Sequence, residues 1–226
     1  MGLDTEPTGP ATPPSTAAVG RSLEEPTVPF RPCTPSPTRS VSVPDLSEAF
    51  VIRDAATEDF DQASAVMLDA YREYKPDPLP PAWAGTWEAY WREIGAVGSR
   101  AHEAQLIVAT IGDHIVGAVT FYPKGPDSNV VDWPPEWAVI RLLAVSPDRR
   151  RQGIGRALTQ ECVRRARRQG AQAVGLHTDS RMPAAQRLYS QLGFRRAPRF
   201  DYQPILEADI TVMGWTQELA TAPRPR

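Results

Sequence analysis

Only two cysteines occur in the 226 residues, Cys33 and Cys162, and no Cys-x-x-Cys or Cys/His spacing accompanies them. That excludes a disulfide framework and a structural zinc site, and it fits a reducing cytoplasm as the expected compartment. No run of 18 or more apolar residues is present, so no membrane-spanning helix and no membrane partner are expected. The N-terminus lacks the basic-then-apolar pattern of a secretory signal. It begins Met-Gly, but Glu6 stands where a myristoylation signal carries Ser or Thr. Lysine is missing altogether between Arg141 and Arg199, where 14 arginines face only Asp148, Glu161 and Asp179. The local charge is +11 against −2 for the whole chain, so the remainder carries −13. Such an imbalance predicts a basic face for a polyanion and an acidic face elsewhere.

What is abundant sets the boundaries. Residues 1 to 48 hold ten of the 24 prolines, with many Ser, Thr and Ala and no apolar periodicity. Such a segment cannot bury enough surface to offset its ordering entropy, so a disordered tail is expected there, and a frayed end over 221–226. One folded domain is expected over 49–220, and about 170 residues bury enough apolar surface to stand without crosslinks.

Within that domain Phe50-Val51-Ile52 predicts a first strand. Thr57 is placed as the N-cap of a helix with Glu58, Asp59 and Asp61 in its first turn. Phe60, Ala63, Met67, Ala70, Tyr71 and Tyr74 follow at helical spacing. A Pro-rich stretch from Lys75 to Pro81 stops that helix, and a second runs from Trp83 to about Arg100. Gln105–Ile111 and Ile115–Tyr122, joined through Gly112-Asp113, predict an antiparallel hairpin. A strand over Ala138–Val145 leads to a helix whose buried face is Ile154, Ala157, Leu158, Cys162 and Ala166, ended by Gly170. A strand over Ala173–Thr178, a helix over Pro183–Gln191 and a strand over Ile210–Trp215 complete the order. The expected fold class is a mixed α/β sheet flanked by helices, antiparallel in its early strands and parallel where helical crossovers join later ones.

The segment Arg150-Arg151-Gln152-Gly153-Ile154-Gly155-Arg156 lies between a strand and a helix start. There the first N–H groups of the helix lack intrahelical partners and converge, which makes an anion site. Glycines at 153 and 155 let an anionic group such as a pyrophosphate approach the backbone. A Walker A loop would need a lysine, and none is near. A dinucleotide fingerprint would need a third glycine where Leu158 stands. Coenzyme A remains.

The flanks then carry a resemblance. Arg150, Gly153 and Gly155 meet the Arg/Gln-x-x-Gly-x-Gly/Ala signature of the GCN5-related N-acetyltransferase (GNAT) family. Leu143-Ala144-Val145-Ser146-Pro147 resembles that family's fourth strand and its exit. Ala185-x-x-Leu188-Tyr189-x-x-x-Gly193-Phe194 resembles its helix end. The resemblance covers residues 50 to 219 and implies an acyl-CoA N-acyltransferase fold. It also implies an enzyme that moves an acetyl group from acetyl-CoA, as co-substrate, directly to a primary amine in a ternary complex. It further implies that the backbone of Leu143, Ala144 and Val145 holds the pantetheine arm, and that Arg150, Arg151, Gln152, Gly153, Ile154, Gly155 and Arg156 hold the pyrophosphate. Tyr189 would be the general acid, because a phenol with a pKa of about 10 is protonated at neutral pH and can donate to a leaving thiolate. Two departures stand out. Met182 occupies a position where many members carry Asn, and Val139 one where many carry an acid. The general base is therefore open among Glu136, Asp132, His177 and a water relay.

By the same resemblance the acceptor lies between the first two helices and the loop before the fourth strand. Tyr71, Trp83, Trp87, Trp133 and Glu136 are the candidate acceptor-binding residues, since aromatic faces attract amines and flat rings. Trp83, Trp87 and Trp91, spaced by four, also suit the core stripe of one helix. A small-molecule amine is the expected partner, with a protein or peptide amine and a non-catalytic acyl-CoA binding module as rivals. Nucleic acid is not expected, because no aromatic-rich motif accompanies the Arg164-Arg165 and Arg167-Arg168 pairs. A homodimer stays open.

Overall fold

The computed structural model describes residues 49–128, 131–205 and 208–219. The tail expected over 1–48 and the end expected over 221–226 lie outside the described residues.

Seven strands form one sheet: β1 (Val51–Asp54), β2 (Gln105–Ile111), β3 (His114–Tyr122), β4 (Trp137–Val145), β5 (Ala173–Asp179), β6 (Arg195–Arg196) and β7 (Val212–Glu218). Among the described residues five α-helices accompany them: α1 (Phe60–Arg72), α2 (Ala84–Gly95), α3 (Val97–Arg100), α4 (Ile154–Arg168) and α5 (Pro183–Gln191). The strand order is β1-β2-β3-β4-β5-β7-β6. The hairpin pairs β2 with β3 as expected, and the α4 crossover makes β5 a parallel neighbour of β4. The second crossover behaves differently. After α5 the chain forms the two-residue β6, then returns as β7 between β5 and β6, antiparallel to both. Two residues are too few to leave a periodic signal, so β6 was invisible in the sequence.

Each face of the sheet buries its own core. On one side α1 presents Ala63, Val66, Met67 and Ala70, an i, i+3, i+4, i+7 stripe, to Val108, Ala118, Leu142 and Ala144. On the other, α4 presents Ile154, Leu158, Cys162 and Ala166 to Val119, Phe121, Ile140 and Leu176. α4 closes on the sheet at Gly117, where an added Cβ would lie 2.9 Å from Ile154 Cγ2 and 3.1 Å from Leu158 Cδ1.

Two helix boundaries differ from expectation. Thr57 is not the cap of α1: a 3-10 turn, Thr57–Asp59, comes first, and the Asp59 carboxylate accepts the Ala56 N–H at 2.7 Å while pairing with Arg53. An acid that satisfies both a backbone donor and an arginine outcompetes a hydroxyl. The long second helix breaks at Ala96, where ψ is 53°, giving α2 and α3. The buried Arg100 folds back and donates to the carbonyls of Glu93 and Ile94 (2.9 Å to the latter), so it caps the C-terminal end of α2.

Candidate active site

The site is built on an interruption in β4. Pairing with β3 joins Ala144 to Ala118 and Arg141 to Thr120, which leaves two residues of β4, Leu142 and Leu143, against Val119 alone. Leu142 takes a φ of 52° to accommodate the extra residue. The bulge reverses the alternation of the strand. Before it, Ala138 and Ile140 face the α4 core; after it, Leu143 and Val145 do, while Leu142 and Ala144 join the α1 core. Pairing with β5 ends at the same place, at Ile140↔Leu176, although β4 continues to Val145 and β5 to Asp179. The two strands therefore diverge. Ser146 donates its N–H to Val116 O at 2.9 Å, so by alternation Ala144 turns its main-chain groups to β3 while Leu143 and Val145 turn theirs to the gap. Of the three strand residues named from the sequence, Leu143 and Val145 thus offer free hydrogen-bonding groups to the gap, and Ala144 does not.

Beyond β4 the glycine loop shapes the start of α4. Arg151 (φ 66°) and Gly153 (φ 84°) both adopt the left-handed conformation. The first α-helical bond of α4 runs from the Ala157 N–H to Gly153 O, so Ile154, Gly155 and Arg156 direct their N–H groups outward without intrahelical acceptors. Alternating left-handed residues before a helix N-terminus form an anion-binding concavity. Gly155 packs between β4 and α5: an added Cβ would sit 3.6 Å from both Leu188 Cδ2 and Val145 Cγ2. Side chains contribute less than the motif suggests. Arg150 turns away to pair with Glu73 at 2.8 Å and to donate to Ala70 O, which ties the loop to the end of α1. Arg156 donates to Gln191 on α5 at 2.7 Å, and Arg151 is exposed.

The arginine-rich segment forms no single free basic face. Arg141 pairs with Glu93, Arg181 with Asp179 and Arg196 with Asp201. On α4, Arg164, Arg165 and Arg168 gather round the buried Glu161, and Arg165 also reaches Asp54. Counting charge along the chain overlooked the acids that folding brings back to four of these arginines (Glu93, Glu73, Asp54 and Asp201), so the expected positive charge is reduced and not cancelled.

A cavity of about 370 Å³ opens where β4 and β5 part, on the α1–α2 side of the sheet. Its walls are mainly Tyr71, Tyr74, Trp87, Tyr90, Met182, Tyr202, Ile205 and Val212, and its charged groups are Glu93, Arg141, Asp179 and Arg181. Of the five acceptor-binding residues named from the sequence, Tyr71 and Trp87 line it. Trp83 sits in the 3-10 turn before α2 and does not. Trp133 is buried in a separate cluster with Tyr122 and Val139, its ring laid on Gly175 and 4.1 Å from that of Phe200. Glu136 is exposed and lies outside the cavity, as does Asp132.

His177 is the one base candidate that lines the cavity. Its Nε2 lies 2.9 Å from Phe200 O, and a carbonyl can only accept, so Nε2 carries the proton and Nδ1 keeps a lone pair. Burial lowers its pKa, which keeps the ring neutral at neutral pH. Tyr189 is buried at 4 % exposure, edge-on to Phe194, and burial holds its phenol far above the ordinary range. The titratable groups nearest it are Tyr71 on α1 and Cys162 on α4, from opposite faces of the sheet. Sequence reasoning passed over Glu93, Arg141, Arg181 and Tyr202. Arg141 did carry a signal, as a charge inside the apolar run Val-Ile-Arg-Leu-Leu.

Residues 65–194 match the Acetyltransferase (GNAT) family. Several solved structures share the fold. The ribosomal-protein-S18-alanine N-acetyltransferase from Escherichia coli is 19% identical, with a TM-score of 0.55, over 79% of this chain and 99% of that one. The PaiA N-acetyltransferase from Thermoplasma acidophilum, solved in complex with coenzyme A, is 14% identical, with a TM-score of 0.56, over 76% and 99%. A GNAT-family acetyltransferase from Staphylococcus aureus Mu50 is 16% identical, with a TM-score of 0.54, over 75% and 99%. No curated protein sequence matches significantly. With the family's pattern covering more than half of it, the chain belongs to the GNAT family of acetyltransferases, whose co-substrate is acetyl-CoA.

Proposed function

We propose that this protein transfers an acetyl group from acetyl-CoA to the primary amine of a small molecule, directly and within a ternary complex. The observation that carries this reading is the parting of β4 from β5. Leu143 and Val145 turn main-chain groups to that gap, the strand then runs into the anion loop at the start of α4, and the aromatic cavity is lined by Ile140, Arg141 and Leu142 of the same strand. An extended amide-bearing arm with a pyrophosphate at its far end fits that sequence of groups: unpaired strand edges seek amide partners and the helix start seeks an anion.

Acetyl-CoA, when bound, supplies an activated thioester whose acetyl carbon bonds to the acceptor nitrogen as its bond to sulfur breaks. The chain's own part is positioning and proton transfer. Main-chain N–H groups at the bulge polarise the carbonyl from fixed positions; groups of that kind are typically worth about 3 kcal/mol of barrier. His177 Nδ1, or a water it holds, takes the proton that the amine must lose. The Tyr189 hydroxyl, protonated across the neutral range, donates to the departing sulfur. A direct route is favoured over a covalent relay because Cys162, the one cysteine among the described residues, is fully buried, and burial pushes its thiol up to about 12.

The cavity's size suits a small acceptor. Release of free CoA from acetyl-CoA should be measured over polyamines, aminoglycosides, amino acids and short peptides. Amine-dependent release with a small molecule supports the reading. Turnover of peptides alone would replace it with a protein acetyltransferase, and tight acetyl-CoA binding without any turnover would replace it with a binding module.

A further inference from the structure

The charges beneath the acceptor cavity do not balance, and their placement says what the acceptor should bring. Arg100 is buried at 6 % exposure, yet it pairs with no carboxylate among the described residues. Its hydrogen bonds go to the Glu93 and Ile94 carbonyls, Met67 Sδ and Thr120 Oγ1, all neutral acceptors. A guanidinium sealed from water without a counter-ion is costly. The anion nearest to both it and Arg141 is the side chain of Glu93, which bonds Arg141 directly. Two arginines thus share one carboxylate at the base of the cavity. At the other end Arg181 and Asp179 neutralise each other through a two-pronged contact.

Arg141 is placed to receive a further anion. It projects from β4 beside the bulge, it lines the cavity, and its side chain is 16% exposed. Its fork donates to Ser128 O at 2.9 Å and to Glu93 and lies within reach of the Tyr122 hydroxyl, which still leaves N–H donors for a ligand among its five. Glu93 is 40% exposed and can turn to solvent when another carboxylate arrives. The remaining walls, Tyr71, Trp87, Tyr90 and Met182 among them, call for an apolar or aromatic body.

We infer that the acceptor is a zwitterion: a small amine that also bears a carboxylate, held at Arg141, on an apolar or aromatic frame. Amino acids with large apolar side chains are the nearest simple members of that class. The inference rests on the proposed acetyl transfer and adds to it the second functional group of the substrate. The surplus positive charge serves the chemistry as well, because it disfavours the ammonium form and so favours the neutral amine that attacks.

The test uses matched pairs that differ only in the carboxylate: phenylalanine and phenethylamine, leucine and 3-methylbutylamine, tryptophan and tryptamine. CoA release by the full chain is compared as kcat/KM per fraction of neutral amine. A charge-assisted fork predicts a preference of about tenfold to a hundredfold for the carboxylate member of a pair. Arg141→Gln should abolish that preference through KM. Glu93→Gln, which removes the competing carboxylate, should enlarge it, so the two variants move in opposite directions and a general loss of folding cannot mimic both. Equal or better use of the amines lacking a carboxylate overturns the inference, and so does turnover confined to polyamines or peptides; the proposed transfer survives all of these except turnover confined to peptides. If calorimetry shows acetyl-CoA bound while no amine of any class releases CoA, the transfer reading fails and this one with it.

Discussion

Replacing Gly153 with alanine tests how far acetyl-CoA binding depends on the backbone shape of the anion loop. Gly153 sits at φ 84° immediately before α4, and an added Cβ would meet no atom within 4 Å. Any effect must then come from the backbone and not from a clash. Holding an L-residue in the left-handed region costs about 1–2 kcal/mol. That cost can fall in two places. If the loop keeps its shape, stability drops by the full amount, or about 2–8 °C in Tm for a domain of this size. If the loop relaxes, stability is preserved, but binding must restore the strained shape and Kd for acetyl-CoA rises about five- to thirtyfold. The stability loss and the binding loss should together approach 1–2 kcal/mol. Thermal denaturation and titration calorimetry on the same preparation measure both. Gly170→Ala is the control: it too is left-handed (φ 76°) with no atom within 4 Å of an added Cβ, but it lies past the other end of α4, so it should lose stability and leave Kd unchanged. A Gly153→Ala protein with unchanged Tm and unchanged Kd would refute the assignment of this loop as a strained anion cradle.

Three further outcomes are expected. Tyr189→Phe should lower kcat about a hundredfold while acetyl-CoA Kd stays within about twofold, as single proton-transfer groups contribute about 10²–10⁴; unchanged kcat in a stopped assay of CoA release would remove Tyr189 from the chemistry. The pKa of His177 is depressed, so its basic form prevails above a value lying under the ordinary 6.5 or so. At a constant concentration of neutral amine, kcat/KM should be flat above about pH 6.5 and fall at lower pH, and His177→Gln should lose that acid limb. The same shift means the unfolded chain binds the proton first as pH falls, so His177 also lowers stability below about 6.5. Gly117→Ala should destabilise by about 1–3 kcal/mol, because the new methyl presses on Ile154 and Leu158 at the α4–sheet contact; an unchanged urea midpoint would show that α4 shifts freely.

Local patterns were readable where one element decides the outcome. The hairpin β2–β3, the strand–loop–helix unit from β4 to α4, and the apolar stripe of α4 depend on periodicity and turn residues within about 20 residues of one another, and they formed as expected except at Ala157, which is only half-buried at the margin of the α4 stripe. Aromatic composition misled at Trp133, whose ring fills the space over Gly175 instead of the acceptor cavity. Nothing in the sequence near Trp133 reveals that a glycine 42 positions later provides its bed. Thr57 misled for a related reason, since the competing acid, Asp59, acts through Arg53 on a neighbouring strand.

By itself, then, the sequence determined the loop proposed to hold the cofactor's pyrophosphate: a glycine loop at a helix start exposes the same backbone donors wherever the helix is docked, so such an anion site follows from local geometry. The cavity proposed for the acceptor was decided only by the tertiary structure. Glu93, Arg141, His177, Arg181 and Tyr202 come from α2, β4, β5 and the loops that follow β5 and β6, and they meet because a single bulged residue at Leu142 coincides with the parting of β4 from β5. Charge compensation there depends on distance in space and on burial, neither of which is encoded at any one position along the chain.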